Sequence, residues 1–420
     1  MTSVLTTVVK SHKKLGLLAS LYISQLIPLA FLAQAVPVFM REQGISLEVI
    51  GLLALLGLPW MLKFLWSPLI DRYGFTKWGH YRFWIICFQS LAACTTFICA
   101  FAGVQGSFIL TVVCLSLLCF ICASQDIATD ALAVGLLEPD ERGLGNGVQM
   151  AGNSLGILIG GGGMLILLDR WGWRGTLLTM SGIMIVALIP VLLHQEQPLE
   201  KVTKPKGKGV KNYFMIFVNL FRRPGMRGWL LVAALYGMGY YMAVAMFRPL
   251  LVDIKLSLTE IGLLMGVVGS TAAIVGSLVA GFFVTILGRK RSLILFGLLR
   301  AFAMTAYFLP AFGFTDLSIL YLVVIGVQLP SSMVNTALFT VMMDKSESET
   351  AGTDFTVQNS VVSLGTDIGS VLSGFIAGAI GYKGIFTVSI GVSLLGVIAI
   401  TKFFAETDYS SQKKAVSQSN

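Results

Sequence analysis

Charge is what this sequence has least of. Asp, Glu, Lys and Arg make up 12% of the 420 residues, against roughly 25% in an ordinary soluble domain. Hydrophobic residues make up 55%, and the mean hydropathy is +0.82. A water-exposed surface over so much apolar side chain would carry large adhesive patches, so the bulk of the chain must face lipid. That excludes a soluble enzyme, a nucleic-acid-binding domain and a secreted disulfide scaffold. Histidine is scarcer still: His12, His80 and His194 lie far apart, which argues against a metal or acid/base cluster. The six cysteines, Cys87, Cys94, Cys99, Cys114, Cys119 and Cys122, fall inside two apolar runs rather than on loops, and read as small packing residues. Gly-x4-Gly-Lys-[Ser/Thr] does not occur, so no nucleotide loop is in view, and the single Gly-x-Ser-x-Gly, Gly152 to Gly156, lies inside a long apolar run rather than at the strand-to-helix turn of a hydrolase elbow. No enzyme activity, cofactor or resident metal is expected, and no cleavable secretory signal, because the first apolar run is about 25 residues and another follows at once.

What is there in abundance is long apolar runs. A bilayer core of about 30 Å needs around 20 helical residues, and continuous runs select helices over barrel strands. Twelve such runs appear, at 15–40, 47–66, 83–102, 108–134, 144–168, 176–193, 229–251, 260–287, 293–309, 318–343, 355–380 and 385–404. Of the 30 Lys and Arg, 23 lie in the tails and loops of one side, Lys63, Arg72, Arg142, Arg289 and Lys345 among them. Both termini are therefore expected on the cytoplasmic side, and the net charge of +9 orients the chain rather than binding nucleic acid. The expected organisation is a bundle over 1–193, a cytoplasmic linker over 194–228 with an amphipathic surface helix near 213–221, and a bundle with a short tail over 229–420.

The halves look duplicated. Ser46-Leu47-x-x-Ile50-Gly51-Leu52-Leu53 recurs as Ser257-Leu258-x-x-Ile261-Gly262-Leu263-Leu264, and Gln149-x4-Ser154-Leu155-Gly156-x3-Gly160 as Gln358-x4-Ser363-Leu364-Gly365-x3-Gly369, at offsets of 211 and 209. Ser257-x-x-Glu260 reads as a capping box. The fold expected is an all-α integral membrane protein, twelve transmembrane helices in two six-helix bundles, with a solute site between parallel repeats.

Polar residues kept inside lipid are expensive, at roughly 2.5–3.5 kcal/mol for a central charge. Four charges lie well inside: Asp126 and Asp130 in the fourth run, Arg300 in the ninth and Asp367 in the eleventh. Asp126 and Asp130, four residues apart, project from one helix face. Either they carry a proton, or they are a polar pair satisfied by Gln125, Thr129 or a basic neighbour. No equal number of buried cations is evident, which favours proton coupling. Gln328, Ser332 and Asn335 share a face of the tenth run. With Tyr22 and Gln25, Gln125, Gln149 and Asn153, and Tyr236 and Tyr240, they form the expected cavity lining, the tyrosines being equally readable as interface anchors. The glycines of the fifth, eighth and eleventh runs read as stripes for close helix approach. Arg300 and Asp367 are expected to neutralise one another or other partners.

Trp66-Ser67-Pro68-Leu69-Ile70-Asp71-Arg72-Tyr73-Gly74 resembles the signature loop of the major facilitator superfamily, with Gly288-Arg289-Lys290-Arg291 as a degenerate second copy. The Ser67-Pro68 form, Gln125-Asp126-Ile127-Ala128-Thr129-Asp130-Ala131, and Glu141-Arg142-Gly143 leading into Gly160 to Gly163 resemble a branch that includes AmpG-type muropeptide permeases, acetyl-coenzyme A transporters and RhtX/FptX-type siderophore importers. The resemblance implies two bundles around a central cavity that opens alternately to each side. Asp71, with Arg72 in support, would latch the cytoplasmic side against the N-terminus of the eleventh helix. It further implies a monomeric, proton-coupled carrier of a small solute in the bacterial inner membrane. Twelve spans and a short tail resemble the siderophore importers more than the larger muropeptide permeases, so siderophore uptake is the expectation and a muropeptide or other peptide-sugar solute the alternative.

Overall fold

The computed structural model describes residues 2–45, 56–74, 76–102, 107–196 and 210–404, and every regular element among them is helical. The long helices are α1 (His12–Glu42), α4 (His80–Ala102), α5 (Phe108–Leu136), α6 (Arg142–Leu193), α8 (Met226–Asp253), α9 (Gly262–Leu287), α10 (Arg289–Ala311), α11 (Leu317–Asp344) and α12 (Ser348–Phe403). These nine, counted among the described residues, are long and apolar enough to cross a bilayer. Short pieces lie between them: α2 (Leu58–Leu62), a 3-10 turn Lys63–Leu65, α3 (Ser67–Arg72) and α7 (Val210–Arg222). The start of the expected second run, together with Ser46 of the first repeat, lies outside the described residues.

Two helices are too long for one crossing. At 1.5 Å per residue, the 52 residues of α6 and the 56 of α12 would each far exceed a bilayer. Both are broken by a glycine in the left-handed region, Gly172 at φ 64° and Gly381 at φ 71°, a conformation glycine takes without a Cβ clash. The two breaks are 209 residues apart and sit in matching quartets, Gly172-Trp173-Arg174-Gly175 and Gly381-Tyr382-Lys383-Gly384. The cations do the same thing in both: Arg174 lies 4.4 Å from the Phe101 ring and Lys383 4.1 Å from the Phe312 ring. Here the duplication shows in packing as well as in sequence.

The glycine stripes are used for close approach. Gly156 leaves a Cβ only 2.7 Å from the Ile23 carbonyl, seating α6 on α1, and Gly365 only 2.7 Å from the Ala234 carbonyl, seating α12 on α8. Gly160 to Gly163 lie in a π turn, Ile159–Gly163, beside a second one in α1, Phe31–Ala35. Ahead of α9, Ser257 Oγ accepts from Glu260 N at 3.2 Å and Ser257 N donates to Glu260 Oε2 at 2.8 Å, closing the expected capping box.

The end that carries Asp71, Arg142 and Arg289 is called the basic end below. There one apolar cluster takes residues from both halves of the chain, among them Tyr22, Ala131, Trp229, Met342 and Phe355. Away from it the core divides into two clusters, one built from residues between Ile27 and Met184 and one from residues between Tyr240 and Phe386. The halves therefore share a core at the basic end and keep separate cores elsewhere. Large apolar side chains such as Ile166, Leu193, Phe302 and Phe375 face outward, as a lipid-facing surface requires.

Candidate functional site

α5 runs unbroken past Asp126 and Asp130, so the two carboxylates stand one turn apart on the same face. Asp126 is 5% exposed and Asp130 1%. Gln25 Nε2 of α1 donates to Asp126 Oδ1 at 2.7 Å. The Tyr22 hydroxyl donates to Asp130 Oδ1 at 2.8 Å, and Gln149 Nε2 of α6 reaches the same oxygen at 3.2 Å. Three helices thus converge on the pair. Around it, Gln25 Oε1, Thr129 Oγ1, Gln149 Oε1 and Asn153 Oδ1 are buried with no partner among the described residues, so the site holds unspent hydrogen-bonding capacity.

The fourth contributor is one that sequence reasoning placed elsewhere. Lys63, expected among the cations of the membrane edge, is 1% exposed, and its ammonium is ion-paired with Asp126 Oδ2. One buried cation thus stands against two carboxylates, the basic neighbour that the sequence left open. The reason is local: α2 ends at Leu62 and the chain tightens into a 3-10 turn, which aims residue 63 inward across α5. A lysine inside an otherwise apolar run, three residues before its end, was the signal available.

The other expected cavity residues form separate groups. Gln125 donates to Gln89 Oε1 at 2.5 Å on α4, turned away from the carboxylates. On α8 the Tyr236 hydroxyl donates to the Leu293 carbonyl at 2.5 Å, and the Tyr240 hydroxyl donates to Gln328 of α11. Ser332 donates to the Leu329 carbonyl at 2.9 Å, and Asn335 is half-buried on the same helix. Arg300 does not meet Asp367, as the sequence had suggested. Asp367 is exposed, while Arg300 is 0% exposed, donates to the Tyr236 carbonyl at 2.5 Å and lies 4.9 Å from the Tyr236 ring. Its Nε and Nη1 have no partner among the described residues. The repeat partners Gln149 and Gln358 also part company: Gln358 accepts from Trp229 Nε1 at 2.8 Å and donates to the Met342 carbonyl at 3.1 Å, a structural role.

At the basic end Asp71, just past the membrane run on α3, bridges the halves. It accepts from Gly352 N at 3.0 Å, from Thr353 N at 2.7 Å and Oγ1 at 2.6 Å, and from the Tyr81 hydroxyl at 2.9 Å. The first three donors belong to the first turn of α12, where free backbone N–H groups and the helix dipole favour an anion. Burial pushes the Asp71 carboxyl up from its ordinary value, and the bonds from Thr353, Tyr81 and Gly352 pull it part of the way back. Arg72, by contrast, is exposed, 5.6 Å from the Tyr73 ring. A second bridge stands nearby: Asp344 of α11 accepts from Arg142 Nη1 at 2.9 Å and Arg289 Nε at 2.8 Å. Between these bridges α6 and α9 touch through glycine, since a Cβ on Gly147 would lie 2.8 Å from the Ser277 carbonyl.

Comparison with known proteins gives the family. Residues 18–366 match the Major Facilitator Superfamily. The chain is 28% identical to the anhydromuropeptide permease of Escherichia coli (strain K12), covering 89% of this chain and 76% of that one. It is 24% identical to a protein named AmpG 4 from Rickettsia conorii, covering 87% and 91%. Among solved structures, the human organic anion transporter MFSD10 superposes with a TM-score of 0.71 at 16% identity over 93% of this chain and 99% of that one. FucP in its outward conformation gives 0.66 at 15% over 94% and 99%. The siderophore expectation finds no support among these relatives. The chain belongs to the major facilitator superfamily of membrane transporters.

Proposed function

We propose that the protein is a proton-coupled carrier that imports anhydromuropeptides, or closely related peptide-sugar solutes, across a bacterial inner membrane by alternating access. The observation that carries the coupling is the membrane-buried pair Asp126 and Asp130, ringed by Tyr22, Gln25, Gln149 and Lys63. A charge this deep is retained only where it works or is paired, and here two carboxylates face one ammonium. The solute class rests on the similarity to the anhydromuropeptide permease. A sugar joined to a short peptide is dense in hydroxyl and amide groups. The unspent oxygens of Gln25, Gln149 and Asn153 on one side, and Tyr240 with Gln328 and Asn335 on the other, suit it.

In this reading the nine long helices, two of them doubled at Gly172 and Gly381, give eleven crossings, and the twelfth is the expected run 47–66, whose first half lies outside the described residues. The crossings divide into bundles at 1–193 and 229–420, and 194–228 joins them on the cytoplasmic side. The basic end is cytoplasmic, by the excess of Lys and Arg there, and Asp71 is the latch that closes it. With that end shut and the cores apart elsewhere, the cavity faces the periplasm. Release of the latch and rocking about the glycine contacts would turn it inward. One monomer suffices for this cycle.

Radiolabelled anhydromuropeptide, presented to cells that lack their own permease, tests the reading. Expression of the protein is expected to give accumulation above background that collapses with a protonophore. Background-level accumulation, with the protein verified in the membrane, would refute it. A parallel arm with labelled ferric siderophore is expected to stay at background.

A further inference from the structure

The coupling cluster contains one more ionised group than its proposed task had supplied. Lys63 is a lysine buried beside the middle of a membrane helix, and such an ammonium is costly unless paired. It sits on a three-residue 3-10 turn with its Nζ 4.8 Å from the Trp60 ring, and it is paired with Asp126. The donors to the two carboxylates then divide cleanly. Asp126 receives the ammonium of Lys63 and the amide of Gln25. Asp130 receives neutral donors, the Tyr22 hydroxyl and the Gln149 amide, and no ion pair among the described residues. Among the described residues the surrounding elements add no other charge to the cluster. From α1 come Tyr22 and Gln25, from the 3-10 turn Lys63, from α6 Gln149 and Asn153, and α5 itself adds the Cys122 thiol one turn before Asp126.

We propose that Lys63 is a positioning residue of the coupling site, a tethered counter-ion that keeps Asp126 as a carboxylate and leaves Asp130 as the one group that exchanges the transported proton. The inference rests on the proton-coupled reading above, and charge balance carries it. One cation and two carboxylates leave a single negative charge in a low-dielectric site, and one proton removes it. The proton is accepted by a carboxylate oxygen of Asp130 and given up from the same oxygen. No bond other than O–H forms or breaks. Without Lys63, Asp126 would need a proton of its own as well, so the lysine sets the number of protons the site takes. One residue, Trp66, separates the Lys63 turn from α3, which carries Asp71.

Infrared difference spectroscopy of the purified protein tests this without any solute, so its outcome is independent of whether the solute class is right. The readout is the C=O stretch of a protonated carboxylic acid as pH is lowered, taken relative to a variant lacking both carboxylates, Asp126→Asn/Asp130→Asn. Native protein is expected to show one acid group. Lys63→Gln is expected to roughly double the band, because Asp126 must then be neutralised by a proton as well. Lys63→Gln/Asp126→Asn is expected to return it to one. Asp126→Asn alone is expected to lose it, since Lys63 then pairs with Asp130. Lys63→Arg, which keeps the charge, is expected to match the native protein. A band unchanged by Lys63→Gln, no band or two acid groups in the native protein, or a native-sized band in Asp126→Asn would each overturn the proposal. If Lys63→Gln fails to fold, the double variant and Asp126→Asn still decide it, because a merely structural lysine predicts no loss in one and recovery in the other. In transport, Lys63→Gln is expected to abolish uphill uptake and keep solute exchange, and the neutral double variant to regain uphill uptake. Failure of all uptake with the infrared pattern intact would count against the solute class alone.

Discussion

Replacing Asp71 by Asn should open the basic end. The carboxylate meets four donors, three of them on the first turn of α12: Gly352 N, Thr353 N and Thr353 Oγ1, at 3.0, 2.7 and 2.6 Å. Asparagine offers one acceptor oxygen in place of two, carries no charge, and turns an NH₂ toward backbone N–H groups that also donate. A hydrogen bond to a charged group contributes about 1.5–3 kcal/mol. Asp71 is half-buried, so competing water reduces the sum over these three donors to about 2–3 kcal/mol. That corresponds to a roughly 30- to 150-fold change in the ratio of closed to open forms. Spin labels at Lys77→Cys and Ser348→Cys, both exposed on either side of the latch, would report it on a background with the six native cysteines replaced by alanine. The native protein is expected to give one short distance and Asp71→Asn a dominant longer one. An unchanged distribution in Asp71→Asn would refute the latch, since no other group on α3 accepts from α12 among the described hydrogen bonds.

Further outcomes follow from the same geometry. A Cβ on Gly281 would lie 2.9 Å from the Gly143 carbonyl and 3.1 Å from Gly147 Cα, backbone atoms that cannot swing aside. Gly281→Val is therefore expected to cost the closed form about 1–3 kcal/mol and lengthen the same spin-label distance. No change would show that α6 and α9 do not need to touch. Arg300 keeps one bond and leaves Nε and Nη1 unpartnered among the described residues. Arg300→Met is expected to leave the melting temperature in detergent unchanged or raise it, and a fall of several degrees would mean that the guanidinium contributes through the Tyr236 ring. Asp344→Asn removes the carboxylate that Arg142 and Arg289 share and is expected to add to Asp71→Asn in the spin-label measurement, because the donors to Asp344 and the donors to Asp71 are different groups.

Much of the fold was legible because lipid leaves so few options. A run of about 20 apolar residues can only be a helix, and eleven of the twelve runs are matched by the nine described helices, while the breaks at Gly172 and Gly381 fall in the two short loops the runs left between them. The shared face of Asp126 and Asp130 followed from helical spacing alone. What was hidden depended on departures from that spacing. Lys63 points inward because a 3-10 turn replaces the α-helix there, and hydropathy does not register a single turn. Gln149 and Gln358 occupy equivalent repeat positions, yet one binds a carboxylate and the other a tryptophan and a carbonyl, since their neighbours diverged. The matching quartets at Gly172 and Gly381 were readable, but their meaning lay in rings at Phe101 and Phe312 far away in the chain.

The central claim is that the solute moves with a proton through the Asp126 and Asp130 site. It is tested most directly with the purified protein in liposomes carrying a pH-sensitive dye inside, with no imposed gradient, when anhydromuropeptide is added outside. The account predicts that solute entry acidifies the lumen in the native protein and that Asp130→Asn exchanges solute without any pH change. Solute entry with no acidification in the native protein, or equal acidification in Asp130→Asn, would contradict it.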